Sequence, residues 1–194
     1  MNRLALAMIG VLGITACTPL GSSARSVTLG QGNVIATPPA GYCVDSVSSQ
    51  PARDFAVLAP CATLGGRGAA PSIVGVATVQ VGPADSGAAV VDEIALRDFL
   101  ITSEGASLLS QSGSAEAIKI VSSQAFNSQV MIYFTDEGPP PLAGLQREEW
   151  RAFTNVNGRL VTIGVRGLAA APLKEGSGAT LLKRMVAGVA PADP

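Results

Sequence analysis

Apolar and polar positions along the 194-residue chain change period several times, and each change marks a predicted element. Asp54 to Ala59 and Ser72 to Val81 are short β-branched or apolar runs, stopped by Pro60-Cys61 and by Gly82-Pro83, and read as strands. Between Asp85 and Leu109 the period lengthens. Val91, Ile94, Ala95 and Asp98, with Leu96, Phe99 and Leu100 beside them, fit a helix from about Gly87 to Ser103, with Gly105 ending it and Ala106 to Ser110 adding a further turn. Ile118 to Ser123 and Gln129 to Thr135 return to the strand pattern, joined through Ala125 to Ser128. Gly138-Pro139-Pro140-Pro141 forbids regular structure and predicts a stiff exposed turn. Ser177 to Val189 places Leu181, Leu182, Met185, Val186 and Val189 on one helical face, with Lys183 and Arg184 outward.

Asn157-Gly158 is the strongest local signal, because a two-residue type I′ hairpin loop needs positive φ at both centres. Taken as that loop, it places Trp150 opposite Val165, Ala152 opposite Ile163 and Thr154 opposite Val161, a mostly apolar face for the C-terminal helix to cover. Glu149 then meets Arg166 on the other face, a favourable cross-strand charge pair of a few tenths of a kcal/mol. Trp150 is expected to be a core anchor.

The first residues are organised differently. Arg3 precedes an apolar run, Leu4 to Ile14, too short to span a bilayer, which is the build of a secretory signal peptide. Ile14-Thr15-Ala16-Cys17 resembles the lipobox of bacterial lipoproteins. The resemblance implies removal of residues 1–16 and acylation of Cys17. Two or more acyl chains anchor durably where one anchors marginally. Thr18, where no aspartate stands, points by the same resemblance to the outer membrane, with the inner membrane as the alternative. Thr18 to Thr37 is rich in small and polar residues, although Ser26 to Leu29 or Val34 to Ala36 would suit a short strand. Residues 17–36 therefore read as a flexible tether, 37–190 as one domain and 191–194 as a tail.

Pro38-Pro39-Ala40-Gly41-Tyr42-Cys43-Val44-Asp45, with Trp150-Arg151 and Asn157-Gly158-Arg159-Leu160-Val161-Thr162, resembles an uncharacterised lipoprotein family of Gram-negative bacteria. That resemblance brings no activity. The element order, with its Pro-x-Gly-aromatic opening and closing hairpin and helix, is also similar to the PsbP-like fold. None of that family's histidine-containing sites has a counterpart here.

Charge and chemistry narrow the picture further. Of 13 basic residues only Arg3 falls in the first 16, so 12 face 14 acidic ones in the remainder, a net charge of −2. That balance gives no electrostatic reason to expect nucleic acid as a partner. The chain has no histidine, which excludes Ser-His and Cys-His catalysis and histidine metal sites. With Cys17 acylated, Cys43 and Cys61 remain as an even pair in an oxidising compartment. A disulfide between them would close a loop worth roughly 3 kcal/mol.

The acidic doublets Asp136-Glu137 and Glu148-Glu149 flank one loop and are the candidates for a glycosidase-type carboxylate pair. Sugar sites usually add several aromatic platforms, and Trp150, Tyr133 and Tyr42 are nearly all there is. Lys119, Lys174 and Lys183 stand at no Ser-x-x-Lys spacing, and Gly65-Gly66-Arg67-Gly68 lacks the helix and Lys-Ser pair of a phosphate loop. The expectation is an α+β domain, an antiparallel sheet with one helix from the middle of the chain and one from the C-terminus. It would be tethered in the periplasm through Cys17 and serve as a non-enzymatic binding or assembly accessory of the envelope, with an envelope protein as partner. No catalytic, cofactor or metal residue is assigned. A carboxylate hydrolase and a small-ligand carrier are the alternatives.

Overall fold

The structure, a computed structural model, describes residues 24–66 and 69–192. The lipobox, Cys17 and the expected signal peptide lie outside the described residues, as do Arg67 and Gly68.

Among the described residues ten strands form two antiparallel sheets. β1 (Val27–Leu29) and β2 (Val34–Ala36) pair with each other, and β10 (Val189–Pro191) adds to β2. The large sheet runs in the order β3 (Tyr42–Val44), β4 (Phe55–Pro60), β5 (Val76–Val81), β9 (Arg159–Arg166), β8 (Glu148–Val156), β7 (Gln129–Asp136), β6 (Ile118–Phe126). Three helices complete the fold: α1 (Glu93–Leu100), α2 (Ser103–Leu109) and α3 (Glu175–Ala187). The expected α+β architecture is the observed one.

Alternation along the strands builds a different core on each face. One face carries Ala56, Val79, Ile163 and Ala152 in a single row across β4, β5, β9 and β8. α3 and the small sheet cover it with Leu181, Leu182, Met185, Leu29 and Val34. On the opposite face Val130, Ile132 and Phe134 of β7 meet Leu100 of α1 and Leu109 of α2. α1 and α2 pack mainly on β6 and β7, with Phe153 of β8 at their margin, which leaves most of the β4, β5 and β9 part of that face without a helix.

The Asn157-Gly158 hairpin has the expected register, Trp150 with Val165, Ala152 with Ile163 and Thr154 with Val161. Both turn residues have positive φ, 51° and 76°. A Cβ at Gly158 would meet no neighbour, so Gly158→Val chiefly reports backbone strain and should cost about 1–2 kcal/mol in urea unfolding. A second tight turn of the same hand, Asn127-Ser128 between β6 and β7, also holds both residues at positive φ. Its serine hides the signal that glycine gives in the other hairpin.

Three expectations change. Residues 24–36 are not tether: Leu29, Val34 and Ala36 are fully buried, and Ala24 bridges to Val44. The two segments that suit a short strand in the sequence both form one, and three residues each suffice to reach the core. Nor is the stretch after 190 all tail, since Val189–Pro191 pairs with β2. The single helix expected from Gly87 to Ser103 is divided. Asp92 caps α1 by accepting from the Ala95 N–H at 2.9 Å, and Thr102 caps α2 by accepting from Gly105 N–H at 3.2 Å. Gly105 does not end a helix but opens one, because a side chain there would strike the Phe99 carbonyl and prevent α2 from folding back.

Cys43 and Cys61 are disulfide-bonded with Cα atoms 4.9 Å apart, fastening the end of β4 beside β3. Next to them Tyr42 is buried, its hydroxyl donating to the Ile73 carbonyl at 2.7 Å and accepting from Gly75 N–H at 3.1 Å. Burial pushes this phenol up to about 12, outweighing the Gly75 bond and the more distant Arg184 charge. A folded-state value above the unfolded one makes stability fall as pH rises from about 10 towards 12. Tyr42→Phe should abolish that part of the alkaline loss while costing about 1–3 kcal/mol at neutral pH, because two buried backbone groups lose their partner. Urea titrations at pH 7 and pH 11 measure both effects.

Candidate functional site

The uncovered part of the large sheet is built from three cross-strand rows. Moving from β7 through β8 and β9 to β5, they read Val130, Phe153, Thr162, Gln80; then Ile132, Arg151, Gly164, Thr78; then Phe134, Glu149, Arg166, Val76. Each row begins apolar beneath the helices and turns polar or charged where the helices stop. Gly164 supplies no side chain at the middle of this array. A hollow of about 270 Å³ lies there, walled by Phe55, Val76 and Thr78 on one side and by Pro141 and Leu145 on the other. The proline-rich turn that the sequence marks as stiff thus forms one rim. A Cβ at Gly164 would fall 2.6 Å from Glu149 Oε1 and 3.0 Å from Thr78 Oγ1, so only glycine leaves both groups in place.

The floor of the hollow is an ionic cluster. Glu149 Oε1 accepts from Arg151 Nε at 2.7 Å, and Oε2 accepts from Arg151 Nη2 and from Arg166 Nε, each at 3.0 Å. Arg166 Nη2 stands 2.6 Å from the same oxygen. Arg166 Nη1 donates to the carbonyls of Gln146 and Arg147, both at 3.1 Å, and so ties β9 to the loop ahead of β8. The guanidinium of Arg151 lies 5.1 Å from the centre of the Phe134 ring, a cation–π contact that fixes its plane.

Glu149 and Arg166 were expected as a cross-strand charge pair of small energy. They do face each other, but both are buried, at 4% exposure each, and a third member, Arg151, shares the carboxylate. Arg151 and the Gln146 and Arg147 carbonyls surround the pair, which a two-stranded reading leaves open to water. The missing residue had a sequence signal. Arg151 stands two positions from Glu149, on the same strand face, and a glycine interrupts the apolar run Val161 to Val165.

Three of the four doublet carboxylates, Asp136, Glu137 and Glu149, are engaged by donors of their own. Asp136 is buried and accepts from Gln111 N–H at 2.9 Å and Gly138 N–H at 2.8 Å, pinning two loops. Glu137 pairs with Arg147 in the open. Glu148 and Glu149 point to opposite faces, as adjacent strand residues must. Among the described residues no three His, Cys, Asp or Glu side chains gather as a metal site. No helix among them is long and apolar enough to cross a membrane.

No known family matches the chain, and no curated protein does. Solved structures of like fold do match. The Ran-binding protein Mog1p of Saccharomyces cerevisiae aligns with 13% identity over 89% of this chain and 97% of its own, at a TM-score of 0.51. A single-residue variant of Mog1 gives 13% identity over 87% and 96%, with a TM-score of 0.52. A cyanobacterial PsbP from Synechocystis aligns over 95% of this chain and 97% of its own at 10% identity, with a TM-score of 0.39. At these identities the Mog1 likeness is one of fold.

Proposed function

We propose that the chain is a membrane-anchored periplasmic lipoprotein acting as a non-enzymatic binding accessory of the cell envelope, with the uncovered sheet face as its binding surface. The observation that carries the binding role is the hollow over Gly164, whose charged floor is locked by mutual hydrogen bonds rather than poised for proton transfer. A charged floor held in place this way favours recognition over turnover. Mog1, of like fold, is itself described as a Ran-binding protein. The anchor rests on the lipobox resemblance of Ile14 to Cys17 and on an apolar run too short to span.

Folding of residues 24–36 shortens the leash. From Cys17 to Ala24 the chain reaches at most about 25 Å, so an acylated Cys17 would hold the domain close against the membrane surface. Labelled palmitate should enter the wild-type protein and not Cys17→Ala, which should leave the membrane fraction; equal labelling of both would sink the anchor. For the binding face, a photoreactive residue at Gln80, beside the hollow, should give a discrete adduct in intact cells. One at the exposed Lys183 on α3 should not. Identical adducts from both positions, or none from either, would overturn the assignment of the face.

A further inference from the structure

We infer that the hollow over Gly164 is a carboxylate-binding site, with Arg151 as the group that contacts the anion. The inference rests on the reading of this sheet face as the binding surface. Three charged side chains line the hollow, Glu149, Arg151 and Arg166, so its floor carries one positive charge in excess. The two arginines are not equivalent. Arg166 is buried and directs its nitrogens to Glu149 and to two backbone carbonyls. Arg151 gives Nε and Nη2 to Glu149, while its Nη1 makes no hydrogen bond among the described residues. Its side chain keeps 11% exposure, at the edge of the hollow. Glu149 and the Phe134 ring hold the guanidinium plane, so the free Nη1 edge is preorganised and loses little freedom when an anion arrives.

Charge decides the class of anion. A single carboxylate brings a floor of net +1 to neutrality. A dianionic phosphate would leave an uncompensated negative charge on a partly dehydrated surface, which is costly. The rest of the lining is apolar or weakly polar, including Phe55, Val76 and Leu145 with Thr78 and Thr162. It suits a short apolar body attached to the carboxylate, and the volume is at the small end for ligand pockets. Such a group occurs on small organic acids and at the C-terminus of a polypeptide with an apolar last residue.

The test is an NMR titration of the full chain, following the backbone amides of Thr78 and Gly164. The probes are 3-phenylpropionate, the corresponding alcohol, phenyl phosphate, and a blocked tripeptide ending in phenylalanine as free acid or amide. At least one free acid should shift both amides, with its alcohol or amide at least tenfold weaker. Binding by the small acid alone identifies an organic acid as the source, and binding by the peptide acid alone identifies a chain terminus. Arg151→Met should remove the acid preference. Glu149 would then be left with Arg166 as a neutral pair, so an unchanged preference in a folded variant overturns the role of Arg151. Equal shifts with acid and alcohol, tighter binding of phenyl phosphate, or no shift with any probe overturn the carboxylate site, and none of these needs the variant. Specific crosslinks from Gln80 without a carboxylate preference would leave the binding face standing and this inference rejected. Absence of both would reject the face itself.

Discussion

Glu149→Gln should lower the unfolding free energy by about 3–5 kcal/mol, the usual consequence of removing one partner from a buried ion pair. Arg166 has 4% exposure and can regain little hydration once the carboxylate charge is gone. Its charge would be left among Val76, Gly164 and the 142–147 loop, and its hold on the Gln146 and Arg147 carbonyls would slacken with it. The desolvation cost, not the lost attraction, sets the size of the effect. For that reason Glu149→Leu combined with Arg166→Met should recover most of the loss, since a well-packed apolar pair of similar volume is often as stable as a buried salt bridge. Urea unfolding of the single and double variants measures both. A loss under about 1 kcal/mol for Glu149→Gln would mean that the pair behaves as a solvated surface bridge.

Trp150→Ala should cost about 3–5 kcal/mol, the range for deleting a large aromatic from a packed core. Trp150 has 3% exposure and is stacked on Tyr133, with ring centres 4.5 Å apart and planes 5° from parallel. α3 crosses directly above it at Gly178, where any side chain would strike the indole. The cavity left by alanine could not collapse readily, because the sheet beneath and the helix above are each held by other contacts. Trp150→Phe should be far milder. The indole Nε1 has no hydrogen-bond partner among the described residues, so phenylalanine sacrifices area without orphaning a polar group. Gly178→Leu tests the same contact from the helix side and should be comparably damaging. Free quenching of Trp150 fluorescence by iodide in the folded protein would contradict this burial.

Where a local rule and a face pattern pointed the same way, the sequence was readable. Asn157-Gly158 demands a tight turn, and the register that follows puts Trp150, Ala152, Ile163 and Val165 on one side; a slip of one residue would have turned them all outward. The C-terminal helix was legible for the same reason, since Leu181, Leu182 and Met185 share a face whatever they pack against. The break between α1 and α2 was harder to see. Periodicity runs on through Ile101 and Thr102, and the stop comes from two side-chain caps and from the close approach at Gly105.

The chain by itself determined its element types, one hairpin register, the pairing of Cys43 with Cys61 as an expectation, and the exclusion of histidine chemistry. These depend on residues near in sequence or on simple inventory. Tertiary structure alone decided that residues 24–36 belong to the core, that α1 and α2 cover only the β6 and β7 side, and that Glu149, Arg151 and Arg166 become one buried cluster. Burial is a property of what lies above a strand face. A two-residue alternation states which side chains share that face, but whether water or a helix meets them is set by elements dozens of residues away. The hollow over Gly164 exists because two short helices stop partway across a seven-stranded sheet.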